Sequence, residues 1–144
     1  MARYVLDTNQ IIAAGSGWLD IPIVVPDPVC PRRLLIHVAK NETGLYCGTM
    51  MGEYLEKLLD RKHPPERAAR LIQFLIGAFE RVEIVSNAAP HPPADADDEI
   101  FVLCAIDGNA DYLISHDNAL LDLDEHYPGF VICRAEVETA RLGI

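Results

Sequence analysis

Asp97-Asp98-Glu99-Ile100-Phe101-Val102-Leu103-Cys104-Ala105-Ile106, followed after a short break by Ala110-Asp111-Tyr112-Leu113-Ile114-Ser115-His116-Asp117, is the stretch on which the fold turns. Its first part has acidic residues where a helix begins, then seven residues that are apolar all round. Such a helix has no face for water and belongs between other layers. Its second part is a brief apolar run that stops at polar residues, which reads as a buried strand. A buried helix leading into a buried strand is the unit of a parallel sheet covered on both faces.

The same alternation extends outward in both directions. Toward the N-terminus, residues 3–6 form a short apolar strand ending at Asp7, and residues 8–14 read as the start of a helix. Residues 15–31 are rich in Gly, Pro and Asp and read as a long loop, with Trp18 inside it. Residues 32–40 have helical spacing and residues 45–47 a short strand. Thr49 is placed to cap a helix running to about Arg61, with Tyr54, Leu55, Leu58 and Leu59 as its apolar stripe. Pro64-Pro65 punctuates the chain before a helix over residues 66–79. Residues 82–85 read as a strand and the proline-bearing residues 86–96 as a loop. Toward the C-terminus, residues 118–123 form a short helix, 130–133 a strand and 136–142 a closing helix. The expected fold is one domain over residues 1–144, a three-layer α/β/α sandwich with a short parallel sheet.

Composition excludes several classes. Half of the 144 residues are hydrophobic and about a quarter charged, an ordinary globular balance. No apolar run reaches a membrane span. The opening Met1-Ala2-Arg3-Tyr4-Val5-Leu6-Asp7 does not read as an export signal, which favours the cytoplasm. Cys30, Cys47, Cys104 and Cys133 form no CxxC pair and have no zinc-finger spacing, so they read as reduced packing residues. The formal net charge is −10. It is unevenly spread: residues 1–72 carry nine Lys/Arg against eight Asp/Glu, and residues 73–144 carry three against fourteen. The plain reading of that acid is a solvated surface that aids solubility. The sharper reading is that part of the acid is a cation site, where bound divalent ions would turn the local field attractive to phosphate.

Ligands of open parallel sheets bind at the carboxyl ends of the strands. Asp7 follows the first strand and Asp117 follows the strand at 112–114. Asp98 opens a helix after a crossover, and Glu53 lies in the first turns of its own helix. All four side chains are therefore directed at one sheet edge. At about 4 Å, two like charges cost a few kcal/mol at an effective dielectric near 20. Such a cluster must share protons or bind cations. Oxygen-only ligands suit Mg²⁺ or Mn²⁺.

These residues resemble the PIN-domain nucleases, in the branch of toxin components. The resemblance is carried by Asp7-Thr8-Asn9 after the opening strand. It is carried also by the helix Met51-Gly52-Glu53-Tyr54-Leu55-Glu56-Lys57-Leu58-Leu59, and by Asp97-Asp98-Glu99-Ile100 running through to Ser115-His116-Asp117. It covers nearly the whole chain in order. It implies Mg²⁺- or Mn²⁺-dependent hydrolysis of phosphodiesters, usually of RNA, often with an antitoxin partner and a homodimer. The site residues it implies are Asp7, Glu53, Asp98 and Asp117, with Asp97 as the alternative to Asp98. Thr8, Asn9 and Ser115 are placed either to hydrogen-bond these carboxylates or only to satisfy backbone groups at the strand ends. Two departures stand out. Ser115 replaces a common threonine, and Leu120 stands where the family often has another aspartate.

Each residue also has a plainer role. Asp7 and Asp117 suit helix caps, and Glu53 suits an i,i+4 pair with Lys57. His116 reads as an exposed loop histidine. Arg61, Lys62, His63, Arg67 and Arg70 form the one basic concentration. Arg61, Lys62 and Arg67 are candidates for steering RNA. A catalytically degenerate scaffold of the same fold is the alternative. A phosphoacceptor receiver fits poorly, because no lysine follows Lys62. A phosphatase of the DxD type lacks its second aspartate in Asp7-Thr8-Asn9.

Overall fold

The computed structural model describes residues 1–15 and 30–144. Most of the expected loop at 15–31, with Trp18, lies outside the described residues. Its ends are helical: Gly15 closes the first helix, and Cys30 and Pro31 open the next.

Five parallel strands lie in the order β3-β2-β1-β4-β5. They are β1 (Arg3–Leu6), β2 (Thr43–Tyr46), β3 (Glu80–Arg81), β4 (Tyr112–Ile114) and β5 (Val131–Cys133). Seven α-helices accompany them among the described residues. These are α1 (Thr8–Gly15), α2 (Cys30–Asn41), α3 (Gly48–Asp60), α4 (Pro65–Ala78), α5 (Glu99–Asp107), α6 (Asn118–Leu121) and α7 (Ala135–Leu142). From β1 the chain moves one way along the sheet, to β2 and β3. From β4 it moves the other way, to β5. Right-handed crossovers then put α1 to α4 on one face and α5 and α6 on the other. The observed packing agrees: α2 touches α4 and α7, while α5 touches β1, β2 and β4. This is the α/β architecture with helices on both faces that the alternation predicts.

The central strands are covered on both faces and are apolar throughout. Tyr4, Val5, Leu6, Leu113 and Ile114 are almost wholly excluded from solvent. The apolar α5 contributes Phe101, Val102, Leu103, Cys104 and Ala105 to the same core. Gly44 in β2 is a close approach: the Phe79 ring lies where a side chain would start, 2.5 Å from an added Cβ.

Three local expectations are corrected. The third strand is Glu80–Arg81, not 82–85. Val82 still donates to Tyr46 O at 2.7 Å, after which the chain leaves the sheet edge. Thr49 does not cap α3. Cys47 occupies that place with extended backbone and no side-chain cap bond, and α3 begins at Gly48. A short 3₁₀ turn, Asp124–His126, sits before β5, which starts at Val131 rather than at residue 130. Among the described residues no helix is long and apolar enough to cross a membrane.

Candidate active site

The point where the chain reverses its direction of travel lies between β1 and β4, and Asp7 and Asp117 sit at their carboxyl ends. Leu6 pairs with Ile114, and the next amide, of Asp7, donates to Ile114 O at 3.1 Å. A crevice at such a point is where open sheets bind ligands. A cavity of about 330 Å³ lies there, walled by Asp7, Glu53, Asp98 and Asp117. Thr8 and Asn9 also line it.

Asp7 is 4% exposed. One of its oxygens accepts the Ser115 hydroxyl, and the other accepts the Gln10 amide at 3.2 Å at the start of α1. Burial pushes its pKa up to about 6, against the opposing pull of those two donors. Ser115 is fully buried and takes a second bond, accepting from the Asp117 amide at 2.9 Å. One hydroxyl thus ties together the two aspartates at the strand ends. Asp117 Oδ1 accepts the Ala119 amide at 2.9 Å and caps α6. The capping role and the cavity-facing role hold together, since a carboxylate has lone pairs for both.

The register of the third acid is decided by which aspartate does the capping. Asp95 accepts the Asp97 amide at 2.9 Å and starts the 3₁₀ turn Ala96–Asp98. Asp98 makes no side-chain cap bond. Its Oδ2 is buried without a hydrogen-bond partner. Asp98 lines the cavity with Asp7 and Asp117, whereas Asp97 lines a neighbouring depression with Gly52, Glu53 and Lys57. Burial first, and then the adjacent Asp117 carboxyl, raise the Asp98 pKa to about 7. Glu53 is also raised, mainly by burial, with the proximity of the Thr8 hydroxyl opposing the shift. Its helix is held to the strand end by the next residue: the buried Tyr54 hydroxyl donates to Leu6 O.

Of the candidate basic residues, Arg61 lines the cavity, while Lys62 and Arg67 do not. Lys57, Asp60 and Asp95 line it as well, without having stood out as cavity residues in the sequence. Lys57, Asp60 and Arg61 lie four, seven and eight residues past Glu53, so helical periodicity alone puts them on its face. His116 is not a free loop histidine. Its Nδ1 meets the Gln10 side-chain amide at 2.5 Å, and its Nε2 meets Glu136 at 2.9 Å. The orphaned Asp98 oxygen and the all-oxygen donor set fit a hard divalent cation. The four carboxylates surround a cavity rather than a closed shell. Among the described residues no three His, Cys, Asp or Glu side chains are drawn close enough to hold an ion as they stand.

Fold and site together define a parallel α/β protein with an acidic crevice at its topological switch point. The PIN domain family model matches residues 3–119, and the chain belongs to that family. PIN domains are generally nucleases, and those nucleases generally use divalent metal ions. The fold is similar to that in the crystal structure of VapBC2 from Rickettsia felis bound to a DNA fragment from their promoter. The TM-score is 0.55 at 15% identity, over 90% of this chain and 96% of that one. No curated protein matches the chain.

Proposed function

We propose that this chain is a metal-dependent endoribonuclease that hydrolyses RNA phosphodiesters with water, with one PIN-like domain over residues 1–144. The single observation that carries this reading is the convergence of Asp7, Glu53, Asp98 and Asp117 on one cavity, where Asp98 keeps a buried oxygen without a partner. These four residues would hold Mg²⁺ or Mn²⁺. The ion would supply Lewis acidity and a more acidic water at neutral pH. The protein's own part is positional. Ser115 holds Asp7 and Asp117 in one orientation. Tyr54 fixes the helix that carries Glu53. Lys57 and Arg61 put positive charge on the cavity wall, where a phosphate backbone can be met despite the net negative charge.

The likeness to VapBC2 supports a further step, that this chain is the toxin of a toxin–antitoxin pair. It would then have an antitoxin protein partner, form a homodimer and act in the cytoplasm. The test is cleavage of structured and unstructured RNA with and without Mn²⁺ or Mg²⁺. Cleavage that needs the ion and is lost in Asp7→Asn supports the reading; ion-independent cleavage, or full activity of Asp7→Asn, refutes it. A degenerate, non-catalytic scaffold is the second reading, favoured by Leu120 standing where the family often has an acid. Calorimetric titration separates the two, because a scaffold of that kind binds no Mn²⁺ at millimolar concentration.

A further inference from the structure

Asp7 and Asp117 stand at neighbouring strand ends, and Ser115 is not the only side chain that ties them. Gln10, in the first turn of α1, is 2% exposed, and its backbone N–H donates to Asp7 Oδ1 at 3.2 Å. Its side-chain nitrogen reaches across to His116 Nδ1 at 2.5 Å. His116 is the residue between Ser115 and Asp117. Its other ring nitrogen, Nε2, meets both oxygens of Glu136, at 3.0 and 2.9 Å. Glu136 belongs to the first turn of α7. A path of side chains therefore runs from the closing helix to the turn that carries Asp117, and on to the helix start that bonds Asp7. We propose that His116 is a positioning residue of the cation site: locked as its Nε2–H tautomer between Gln10 and Glu136, it sets where the Asp7 and Asp117 carboxylates stand for the incoming ion.

The chemistry of the three groups allows one arrangement. A side-chain amide nitrogen can only donate, so His116 Nδ1 must accept. The proton of the ring then sits on Nε2, where it points at Glu136. Against the effect of burial, the Glu136 backbone amide and His116 hold that carboxyl below the ordinary carboxylate range, so Glu136 accepts as a carboxylate. Gln10 gives up something to keep its nitrogen on the ring, because its own oxygen is buried without a hydrogen-bond partner. Buried polar groups are nearly always paired, and an orphan of this kind calls for a reason. Orienting the amide at His116 supplies one. The same end of α7 braces the other flank of Asp117: Arg134, just ahead of the helix, donates to Asn118 Oδ1 at 3.1 Å. Outer carboxylates commonly fix the tautomer and angle of a histidine that binds a metal. Here the fixed ring works one step further out, through Gln10 to Asp7 and through the backbone to Asp117.

The part played by the ion rests on the nuclease reading; the state of the ring does not. The test compares Glu136→Ala with Glu136→Gln in the full chain. Glu136 is half exposed, so neither change disturbs the core. Both remove the same charge, and only glutamine keeps an oxygen for the Nε2 proton. Mn²⁺ affinity is read by calorimetry, metal-free stability by urea unfolding, and the His116 ring by its ¹⁵N spectrum at pH 8. The wild type and Glu136→Gln should show one tautomer, with Nδ1 free of hydrogen. Glu136→Ala should show both tautomers and bind Mn²⁺ about tenfold more weakly, the low end for an outer partner of a metal ligand. Its unfolding midpoint should stay where it was, and Glu136→Gln should keep most of the affinity. Mixed tautomers in the wild type, or a Glu136→Ala protein that binds Mn²⁺ as tightly as the wild type, overturns the positioning role. So does an equal loss in both variants, which is the mark of charge alone. A wild type that binds Mn²⁺ and cleaves no RNA ends the nuclease reading and leaves His116 to be decided by the affinities. A wild type that takes up no Mn²⁺ overturns both.

Discussion

Among the described residues two carboxylates are almost completely removed from water, and they are treated in opposite ways. Glu138 on α7 is 1% exposed and Asp7 at the end of β1 is 4% exposed. Glu138 accepts the Tyr4 hydroxyl at 2.5 Å and two guanidinium nitrogens of Arg141, at 2.5 and 2.9 Å. Arg141 itself lies over the Tyr112 ring, 4.8 Å from its centroid. This is a compensated buried charge, and it clamps α7 onto the sheet. Asp7 has only neutral donors, a hydroxyl and a peptide N–H. Asp98 nearby has a buried oxygen with no donor at all. Among the described residues neither Asp7 nor Asp98 forms an ion pair with Lys or Arg. A chain that neutralises one buried acid with its own cation, and leaves Asp7 and Asp98 without an ion pair, marks the second place as the one that receives a cation from outside.

The largest effect that tests this contrast is at Asp7. Asp7→Asn should lower RNA cleavage by at least about a hundredfold, more than loss of an outer hydrogen-bond partner usually costs. The same change should leave the metal-free protein at least as stable at pH 8, because it removes a buried charge that nothing pairs. Urea unfolding and a cleavage assay on the same sample read both. At Arg141 the signs reverse. Arg141→Met should cost about 1–3 kcal/mol, the low side of a broken buried pair because the arginine is half exposed, and cleavage should be kept. If Arg141→Met is neutral and Asp7→Asn unfolds the protein, the contrast is broken.

A smaller effect is the response to pH. A carboxylate whose pKa is raised by folding stabilises the native state fully below its ordinary value near 3.8. That contribution is lost as pH rises through the folded values of about 6 for Asp7 and about 7 for Asp98. The metal-free protein should therefore melt lower at pH 8 than at pH 5. Added Mn²⁺ should recover the loss at pH 8 and do little at pH 5, where protons hold the oxygens. Equal Mn²⁺ stabilisation at both pH values counts against a cation site in this cluster.

Much of this was legible in the sequence because it lies in strongly patterned segments. β1 and β4 are apolar runs that stop at an acid, and α5 is apolar on every side, so the sheet centre and the positions of Asp7, Asp98 and Asp117 follow from local pattern. The choice between Asp97 and Asp98 does not. It depends on Asp95 taking the capping bond, which composition cannot distinguish in Asp95-Ala96-Asp97-Asp98. β3 is two exposed residues on a sheet edge and has no period to read. The cavity face of α3 was readable, since Lys57, Asp60 and Arg61 repeat at helical spacing from Glu53. The bridge from Gln10 through His116 to Glu136 was not, because its members meet only once β4 lies against β1.

The smallest effect sharpens the contrast at its nearest point. Ser115 is the neutral counterpart of Arg141. It holds a buried carboxylate in place and adds no charge, donating to Asp7 and accepting from the Asp117 amide. If the cation comes from outside, Ser115 orients the acids and does not stabilise them electrostatically. Ser115→Ala should then weaken Mn²⁺ binding by about tenfold, the low end for an outer partner of a metal ligand. Its cost to metal-free stability should be about 1 kcal/mol, the scale of one hydrogen bond. Ser115→Thr keeps the hydroxyl and should keep the affinity. The measurement is calorimetric Mn²⁺ titration beside urea unfolding for both variants. A Ser115→Ala protein that binds Mn²⁺ normally yet unfolds several kcal/mol more easily would make Ser115 a core-packing residue like its neighbours. The two buried carboxylates would then no longer differ in kind.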